Sequence, residues 1–438
     1  MRVWIGYRGD KFLKLKFKWL DNIILWLIIG QVVVFRYFNV FEIANKIILS
    51  LIVIRIMIYC ILNKKIVGLS KKSYSILLVF FIIVANGLIY GVNDFFRSNV
   101  LMVLYPLIDM LYLTWYIKKY QEYFYLKLYK LRYLINIYFL INIVVMFIQL
   151  QGNYFMIGVM TQKNDMYEDL VSGLLGYSMV AAVCYFSVFV ILYNFVIAET
   201  IRKKVNKCIF QLYNVILLGI MAYISIQNDN VQYFAVIAIA LFFMMLVQKP
   251  LNTFKRIKTI CCIGAFGIIV ILVALKMIPG LYDVLNSNVF YKFSGALEHM
   301  FDGAAVTHGS MERLALIVYG ILHANGLLVG KGLSYAGVYT PYTFGFVHFG
   351  NANIGAFICL GGIWFYLTLI YCYSSRIVSM IQFSRKDKNT LLYGIIISIL
   401  FVVASMFSIP FTEVSISLCV VFIMIVFGFE RYINDLKG

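Results

Sequence analysis

All four histidines of the 438-residue chain lie in one stretch, at His299, His308, His323 and His348. Histidine changes its charge near neutral pH and is therefore well suited to act as a general base. The clustering indicates proton transfer or metal binding, and the plainer alternative is a polar loop that hosts polar residues. A zinc site is disfavoured, because neither the H-x-x-x-H nor the H-E-x-x-H spacing occurs.

Arg313 and Ser310 precede an apolar stretch, 314–329, and form a second group of candidate residues. A guanidinium carries a permanent charge on a planar fork that matches phosphate oxygens. The N-terminus of a helix also favours an anion. Arg313 is therefore predicted to bind a pyrophosphate at the membrane surface, with Ser310 beside it. The alternative is an arginine that only anchors the stretch at the interface.

Gly330, Lys331 and Gly332 form a third group. Glycines let backbone N–H groups approach an anion closely. The pattern is not a P-loop, because Gly332 stands where Ser or Thr should follow the lysine. The group is compatible with an anion contact, but a tight turn is the commoner explanation for such a pattern.

His348 and Asn351 lead into a further apolar stretch that contains Gly361 and Gly362. At the mouth of that stretch, His348 is placed to act on a bound hydroxyl group. The glycine pair predicts close packing between helices, because glycine lets two backbones approach.

The composition decides which kind of fold has to position these residues. The chain is 63% hydrophobic and 13% charged, whereas a soluble domain is about 45–50% apolar and about 25% charged. With a mean hydropathy of +0.89, it cannot be a soluble enzyme, a disordered chain or a nucleic-acid-binding domain. All eight cysteines lie in or beside apolar stretches, so neither a disulfide framework nor a cysteine-ligated metal is expected.

Apolar stretches able to cross about 30 Å of hydrocarbon recur along the chain. Twelve transmembrane helices are predicted, at 20–35, 43–62, 74–92, 100–117, 133–150, 172–193, 208–225, 233–247, 259–277, 353–373, 391–409 and 415–429. If the N-terminus is cytoplasmic, the inner segments hold 29 Lys and Arg residues and the outer segments hold 6. This asymmetry follows the positive-inside rule and places both termini in the cytoplasm.

The sequence therefore predicts an all-α integral membrane protein of about 12 transmembrane helices, with one long extracytoplasmic segment. Residues 1–277 would form helices 1–9, residues 278–352 the extracytoplasmic catalytic segment, and residues 353–438 helices 10–12. The stretch 314–329 is predicted to be an interfacial or re-entrant helix. A thirteenth crossing there would turn the basic cluster at 374–389 outward.

Charged residues inside the bilayer are costly and usually face a partner. Arg55 and Asp109 lie at similar depths, about 18 Å and about 14 Å from the outer ends of their helices, and predict a structural ion pair. Lys46 lies near the outer face, where it either snorkels or holds a lipid phosphate. The same two interpretations apply to the other outer-face cations, Arg36, Arg97 and Lys163.

The chain resembles the Wzy-type polysaccharide polymerases of bacteria, within the O-antigen polymerase and ligase group. The resemblance covers about 310–365 and the twelve-span plan with one long, late outer loop. It rests on motifs that occur in family order: Ser310-x-x-Arg313, Gly330-x-Gly332, His348 with Asn351, and Gly361-Gly362. Many relatives place histidine directly before the asparagine, whereas Gly350 precedes Asn351 here.

The resemblance implies a GT-C-like glycosyltransferase of the bacterial cytoplasmic membrane, with an extracytoplasmic active site. It would transfer a growing glycan from undecaprenyl pyrophosphate to an incoming lipid-linked repeat unit and so build capsule or O-antigen. The implied partners are these lipid-linked substrates, membrane lipids, and chain-length regulator and flippase proteins. No cofactor, metal or nucleic acid is expected.

The resemblance also implies roles for individual residues. Arg313 would stabilise the leaving pyrophosphate, and His348 would deprotonate the acceptor hydroxyl, with His323 and His308 as alternative bases. The expected substrate-binding residues are Ser310, His323, Gly330, Lys331, Gly332, Asn351 and Lys46. Tyr335 and neighbouring aromatic residues would offer flat faces to sugar rings, unless they form an interfacial aromatic belt.

Two other functions fit the sequence. A flippase of lipid-linked oligosaccharide, or another secondary transporter, would share the twelve spans but would carry its polar residues near the bilayer midplane on broken helices. A ligase that moves finished glycan onto a different acceptor is the alternative within the same class.

Overall fold

Apolar stretches form helices throughout the described part of the chain, because lipid offers the backbone no hydrogen-bonding partner. The computed structural model describes residues 18–63, 74–157, 170–177, 179–201, 203–228, 230, 232–247, 317, 320–322, 327–339, 346–347, 353–381 and 390–435. Its helices are α1 (Lys18–Gly30, continued by a π-helical turn Gln31–Phe35), α2 (Phe41–Asn63), α3 (Tyr74–Tyr90), α4 (Asp94–Lys119), α5 (Gln121–Lys130), α6 (Arg132–Gln149), α7 (Val180–Ala198), α8 (Lys204–Gln227), α9 (Gln232–Val247), α10 (Asn353–Ala356, continued by a π-helical turn Phe357–Gly361), α11 (Ile363–Ile381), α12 (Thr390–Phe407) and α13 (Val414–Asp435). Two short strands, β1 (Val338–Tyr339) and β2 (Phe346–Val347), pair in antiparallel orientation.

Helices occur at eleven of the twelve predicted spans, and the ninth, 259–277, lies outside the described residues. Seven helices in the described part are long and apolar enough to cross a membrane: Lys18–Phe35, Asp94–Lys119, Arg132–Gln149, Val180–Ala198, Lys204–Gln227, Thr390–Phe407 and Val414–Ile433. The predicted helical, membrane-type character of the chain is therefore confirmed.

Two helices depart from their predicted limits because glycines interrupt them. The span predicted at 172–193 begins only at Val180, since Gly173 and Gly176 have φ angles of +58° and +101° that a right-handed helix does not contain. The span predicted at 353–373 is divided into α10 and α11, because Gly362 has a φ of +82°.

Helices α7 and α13 pack against each other at the centre of the bundle. In their apolar stretches 89% and 94% of residues are buried, against 33% in α6 and 28% in α8, so α6 and α8 lie at the periphery. Exposed residues on these outer helices are mostly large and apolar, as at Ile141 and Ile216. Such a perimeter suits contact with lipid chains rather than with water.

One end of the bundle is organised by the fully buried carboxylate of Asp21. Arg55 donates to it from α2 at 2.7 and 3.4 Å, and Lys119 donates from the end of α4 at 3.1 Å. The hydroxyls of Tyr112 and Tyr120 add hydrogen bonds of 3.0 and 2.7 Å. Burial and the adjacent carboxylate raise the pKa of Tyr120, so its hydroxyl remains a donor. We call this the Asp21 end.

The predicted ion pair between Arg55 and Asp109 is wrong, because Arg55 binds Asp21 instead. Tyr112 lies one turn beyond Asp109 on α4, toward the Asp21 end, and it too binds Asp21. A long arginine side chain reaches toward the end of its helix, where charged and hydroxyl partners gather. Asp109 stays buried, and one of its carboxylate oxygens has no hydrogen-bond partner among the described residues.

Polar contacts between the other helix termini form the opposite end of the bundle. Arg36, which follows α1, lies 3.9 Å from Glu413, which precedes α13. The backbone N–H of Asn353 at the start of α10 donates to the carbonyl of Ser408, which follows α12, at 3.0 Å. The segment 327–335 reaches the same end, beside the start of α4. We call this the Lys331 end.

Replacing Asp21 by Asn should destabilise the bundle, because Arg55 and Lys119 would lose the buried carboxylate that balances their charges. Loss of one partner from a buried ion pair costs about 3–5 kcal/mol, and we expect the free energy of unfolding in mixed micelles to fall by this order. Asp94→Asn is the matched control, because it breaks an exposed pair with Arg97 and should change stability little. Equal effects of the two substitutions would contradict a structural role for the Asp21 cluster.

Candidate functional site

The predicted site residues divide into two groups. Five lie outside the described residues: Ser310, Arg313, His323, His348 and Asn351. Gly330, Lys331 and Gly332 lie in the described segment 327–335, and Lys46 lies on α2. The described part of the site therefore consists of that segment and the helices it contacts.

The segment 327–335 lies against the break between α10 and α11. A helix that breaks leaves carbonyl groups without their usual donors. Here the carbonyls of Cys359 and Leu360 accept hydrogen bonds from the backbone N–H groups of Lys331 at 2.8 Å and Gly332 at 2.9 Å. The segment thus completes the hydrogen bonding of the broken helix.

Glycines permit this close approach of two backbones. Gly330 has a φ of +66°, and a Cβ atom there would lie 2.7 Å from the carbonyl of Leu360. Gly362 has a φ of +82°, and its Cβ would lie 2.6 Å from the carbonyl oxygen of Leu328. Both positions exclude a side chain. Gly362 therefore approaches a loop, and the expectation that it serves packing between helices is wrong for this residue.

Asparagines from α3 and α4 bind the other side of the segment. The Asn86 side chain accepts from the N–H of Leu333 at 2.8 Å and donates to the carbonyl of Val329 at 3.4 Å. The Asn99 side chain donates to the carbonyl of Leu333 at 3.0 Å and to that of Tyr335 at 3.1 Å.

The loop between α3 and α4 adds three further contacts. The Asn93 amide donates to the carbonyl of Ser334 at 2.8 Å, and the hydroxyl of Ser334 donates to the carbonyl of Gly91. The hydroxyl of Tyr90 donates to the carbonyl of Gly330 at 2.8 Å. Most of the polar backbone of 329–335 is therefore held from two directions, which fixes its conformation.

The surface of this segment includes a cation and an aromatic residue, beside the exposed side chains of Leu327 and Leu328. Lys331 is half-buried, and no ion pair joins it to another residue in the described part of the chain. Tyr335 is 49% exposed, and its ring meets that of Tyr90 edge-on, with 6.3 Å between centroids. Such a surface can contact an anionic group together with the face of a sugar ring.

The predicted anion contact through backbone N–H groups is wrong for Lys331 and Gly332, since carbonyls of the broken helix accept from both of them. The tight-turn interpretation of this glycine group fits better. Any anion bound here would be bound by the Lys331 ammonium. A short-range sequence pattern could not show this, because Cys359 and Leu360 come from a separate stretch of the chain.

Within the described residues, no hydrogen bond or ion pair joins Lys46 to the segment 327–335. It is exposed on α2, and its carbonyl accepts from the hydroxyl of Ser50 at 2.8 Å. Arg36 forms an ion pair with Glu413 at 3.9 Å, and Arg97 forms one with Asp94 at 3.3 Å.

Sequence reasoning missed the asparagines that hold the site. Asn86, Asn93 and Asn99 are neutral, so a search for charges and histidines passes over them. The available signal was the placement of three amides around the short loop between α3 and α4. An amide in or beside an apolar stretch needs hydrogen-bond partners, which here come from the backbone of a loop packed against it.

Gly362→Ala should destabilise the protein, because Ala at a φ of +82° is strained and its Cβ would meet the backbone at Leu328 and Val329. Strain of this kind costs about 1–3 kcal/mol. The matched control is Gly219→Ala on α8, where no atom lies within 4 Å of the added Cβ. Thermal unfolding in detergent should show a lower midpoint for the first variant alone. Equal midpoints would contradict the close approach at Gly362.

The chain matches no protein-family model, no curated protein and no solved structure.

Proposed function

We propose that this chain is a membrane glycosyltransferase that joins undecaprenyl-pyrophosphate-linked oligosaccharide repeat units into a surface polysaccharide, either capsule or O-antigen. The observation that carries the proposal is the rigid segment 327–335, which presents Lys331 and Tyr335 at one end of the bundle. In the sequence this segment directly follows Arg313 and His323 and precedes His348. A cation together with an exposed aromatic ring suits a substrate that combines pyrophosphate with sugars.

We further propose that the Lys331 end faces outward, with both termini cytoplasmic. The basic segments 118–132, 198–207 and 430–438 adjoin helix termini of the Asp21 end or follow directly from them, which favours that end as the inner one. The side chain of Lys118, for example, donates to Ser379 near the end of α11 at 2.7 Å.

Contacts of α9 support twelve spans rather than thirteen. Gln232 at its start accepts from Tyr185, which also bonds to Ser408 at the Lys331 end. Phe243 near its end packs against Tyr393, which accepts a hydrogen bond from Arg431 at the Asp21 end. The C-terminus of α9 thus lies at the Asp21 end, whereas the later segment 327–335 lies at the Lys331 end. This favours one crossing, at 259–277, and an interfacial or re-entrant stretch at 314–329.

In the proposed reaction, the acceptor hydroxyl oxygen attacks the anomeric carbon of the donor glycan. The bond from that carbon to the pyrophosphate oxygen breaks, undecaprenyl pyrophosphate leaves, and the catalytic base takes the hydroxyl proton. Arg313 stabilises the leaving group, a role worth about 3–4 kcal/mol for one well-placed donor. His348 acts as the base, with His323 and His308 as alternatives, and contributes a factor of about 10²–10⁴.

Lys331 contributes a second cation on fixed backbone, and Tyr335 contributes a face for a sugar ring. Groups that act on a transition state must be held by surrounding hydrogen bonds. Asn86 and Asn99 provide this support for 329–335. The further proposed substrate-binding residues are Ser310, Asn351 and Lys46. Gly330 and Gly332 allow the backbone path of the segment and do not bind substrate themselves.

A flippase or transporter of the same lipid-linked units is the second candidate. The observations that favour it are the break at Gly362 and the buried, unpaired carboxyl of Asp109 in the middle of α4. Transporters use broken helices and midplane charges in this way. A ligase remains the alternative within the glycosyltransferase class, since it would need the same donor site.

Tyr335→Cys should react with a membrane-impermeant thiol reagent in intact cells, because the position is 49% exposed at the proposed outer end. Two matched controls give the labelling expected of a buried position and of an inner position. Ser334→Cys is buried at 7% exposure and should react weakly, and Lys130→Cys at the proposed inner end should react only after the cells are permeabilised. Protection of Tyr335→Cys in intact cells, with labelling after permeabilisation, would contradict the proposed orientation.

Arg313→Lys should abolish long polymer while short lipid-linked units accumulate, because lysine keeps the charge but lacks the bidentate fork. Polymer length is read on a polysaccharide gel, with membrane insertion checked in parallel. The matched control is Arg97→Lys, an exposed arginine paired with Asp94, which should keep normal chain length. Normal length in Arg313→Lys would remove that residue from the mechanism. Lipid-linked units trapped in the inner leaflet of a deletion strain would instead favour the flippase.

A further inference from the structure

Asp109 is a buried carboxyl group in the middle of α4, and in the described part of the chain it differs from Asp21, which two cations bind. The residue is 3% exposed, and one of its carboxylate oxygens makes no hydrogen bond. No ion pair reaches it from any residue in the described ranges. At 1.5 Å per residue it lies about 22 Å from the start of α4 and about 15 Å from its end, so it sits near the centre of the hydrocarbon layer.

Helices α1, α2, α11 and α13 pack against α4 around this carboxyl. On α1 and α2, Asp21 and Arg55 are bonded to each other at the Asp21 end. On α11, Tyr373 is the titratable group that interacts electrostatically with Asp109. Arg376 lies about one turn farther along α11, toward the Asp21 end. On α13, Cys419 and Glu430 are the buried titratable groups. None of these groups forms an ion pair with Asp109.

An ionised carboxylate is very unfavourable in such surroundings, because the group is buried inside the bundle and no cation of the described residues pairs with it. Asp21 shows what this chain supplies when a buried carboxylate is to stay charged, namely two cations and two hydroxyls. Asp109 receives none of these groups. A carboxyl group left in this condition takes up a proton instead of remaining ionised.

We propose that Asp109 is a proton-binding site in the membrane interior, which holds an exchangeable proton at neutral pH. Its ligand is the proton itself. Pro106 lies one turn earlier on α4 and removes a backbone donor there, so the helix is weakened next to the site. Proton binding can therefore be linked to bending of α4. The proposal goes beyond the polymerase function and stands independently of it.

Infrared difference spectroscopy of the full chain in lipid vesicles at neutral pH tests the site directly. Subtracting the spectrum of Asp109→Asn from that of the unsubstituted protein should leave the C=O stretching band of a protonated carboxylic acid. The band should shift when the vesicles are transferred to D₂O, because the proton is exchangeable. Asp109→Glu keeps a carboxyl and should retain such a band, so the test does not depend on the Asn variant alone.

Asp94→Asn is the matched control, since an exposed carboxylate paired with Arg97 should contribute no protonated-acid band. If the Asp109→Asn difference spectrum contains only carboxylate bands, Asp109 is ionised and the proposal is overturned. A protonated band that does not move in D₂O would overturn it as well, because the proton would not exchange. Neither result bears on polymer length, so failure of the site and failure of the proposed function are distinguishable.

Discussion

The constraint on which this structure depends is that lipid satisfies no hydrogen bond, so each polar group in the bundle needs a partner from the chain itself. The break between α10 and α11 shows the constraint most clearly. It frees the carbonyls of Cys359 and Leu360, and the backbone of 331–332 supplies their donors. Asn86 and Asn99 then satisfy the polar groups of that same backbone. Hydrogen bonds on two sides thereby fix the conformation of a glycine-rich loop.

The same constraint separates the buried carboxyls into two kinds. Asp21 keeps its charge because Arg55, Lys119 and two tyrosine hydroxyls converge on it from α2, α4 and the residue after α4. These hydrogen bonds join α1, α2 and α4 at the Asp21 end and so fix the positions of the three helices along the axis of the bundle. Asp109 sits where no such donors converge, so the chain tolerates it only in a form that needs few partners. Position along the helix decides the difference, since long cationic side chains gather near the ends.

Sequence reasoning was accurate where the signal is local and failed where two distant stretches meet. The apolar runs predicted eleven helices that the structure contains, because burial in lipid depends on composition alone. The partner of Arg55 was wrong, because depth can be read from residue spacing but the direction of a side chain around its helix cannot. The glycines at 330–332 were correctly identified as unusual. The tight turn was anticipated, but the acceptors of their backbone N–H groups were not, since those carbonyls belong to residues about thirty positions later in the chain.

The hydrogen bonds of the segment 327–335 also bear on which function the bundle serves. A transporter moves one group of helices against another during each cycle, and polar groups between the moving parts must find new partners. Here a shift of the segment away from α10 and α11 would leave the carbonyls of Cys359 and Leu360 without donors inside the bundle. The side chains of Asn86 and Asn99 would lose their hydrogen-bond partners at the same time. Such a coupled loss opposes motion. A broken helix closed in this way acts as a fixed platform, which is what an enzyme needs to hold charged groups against a transition state.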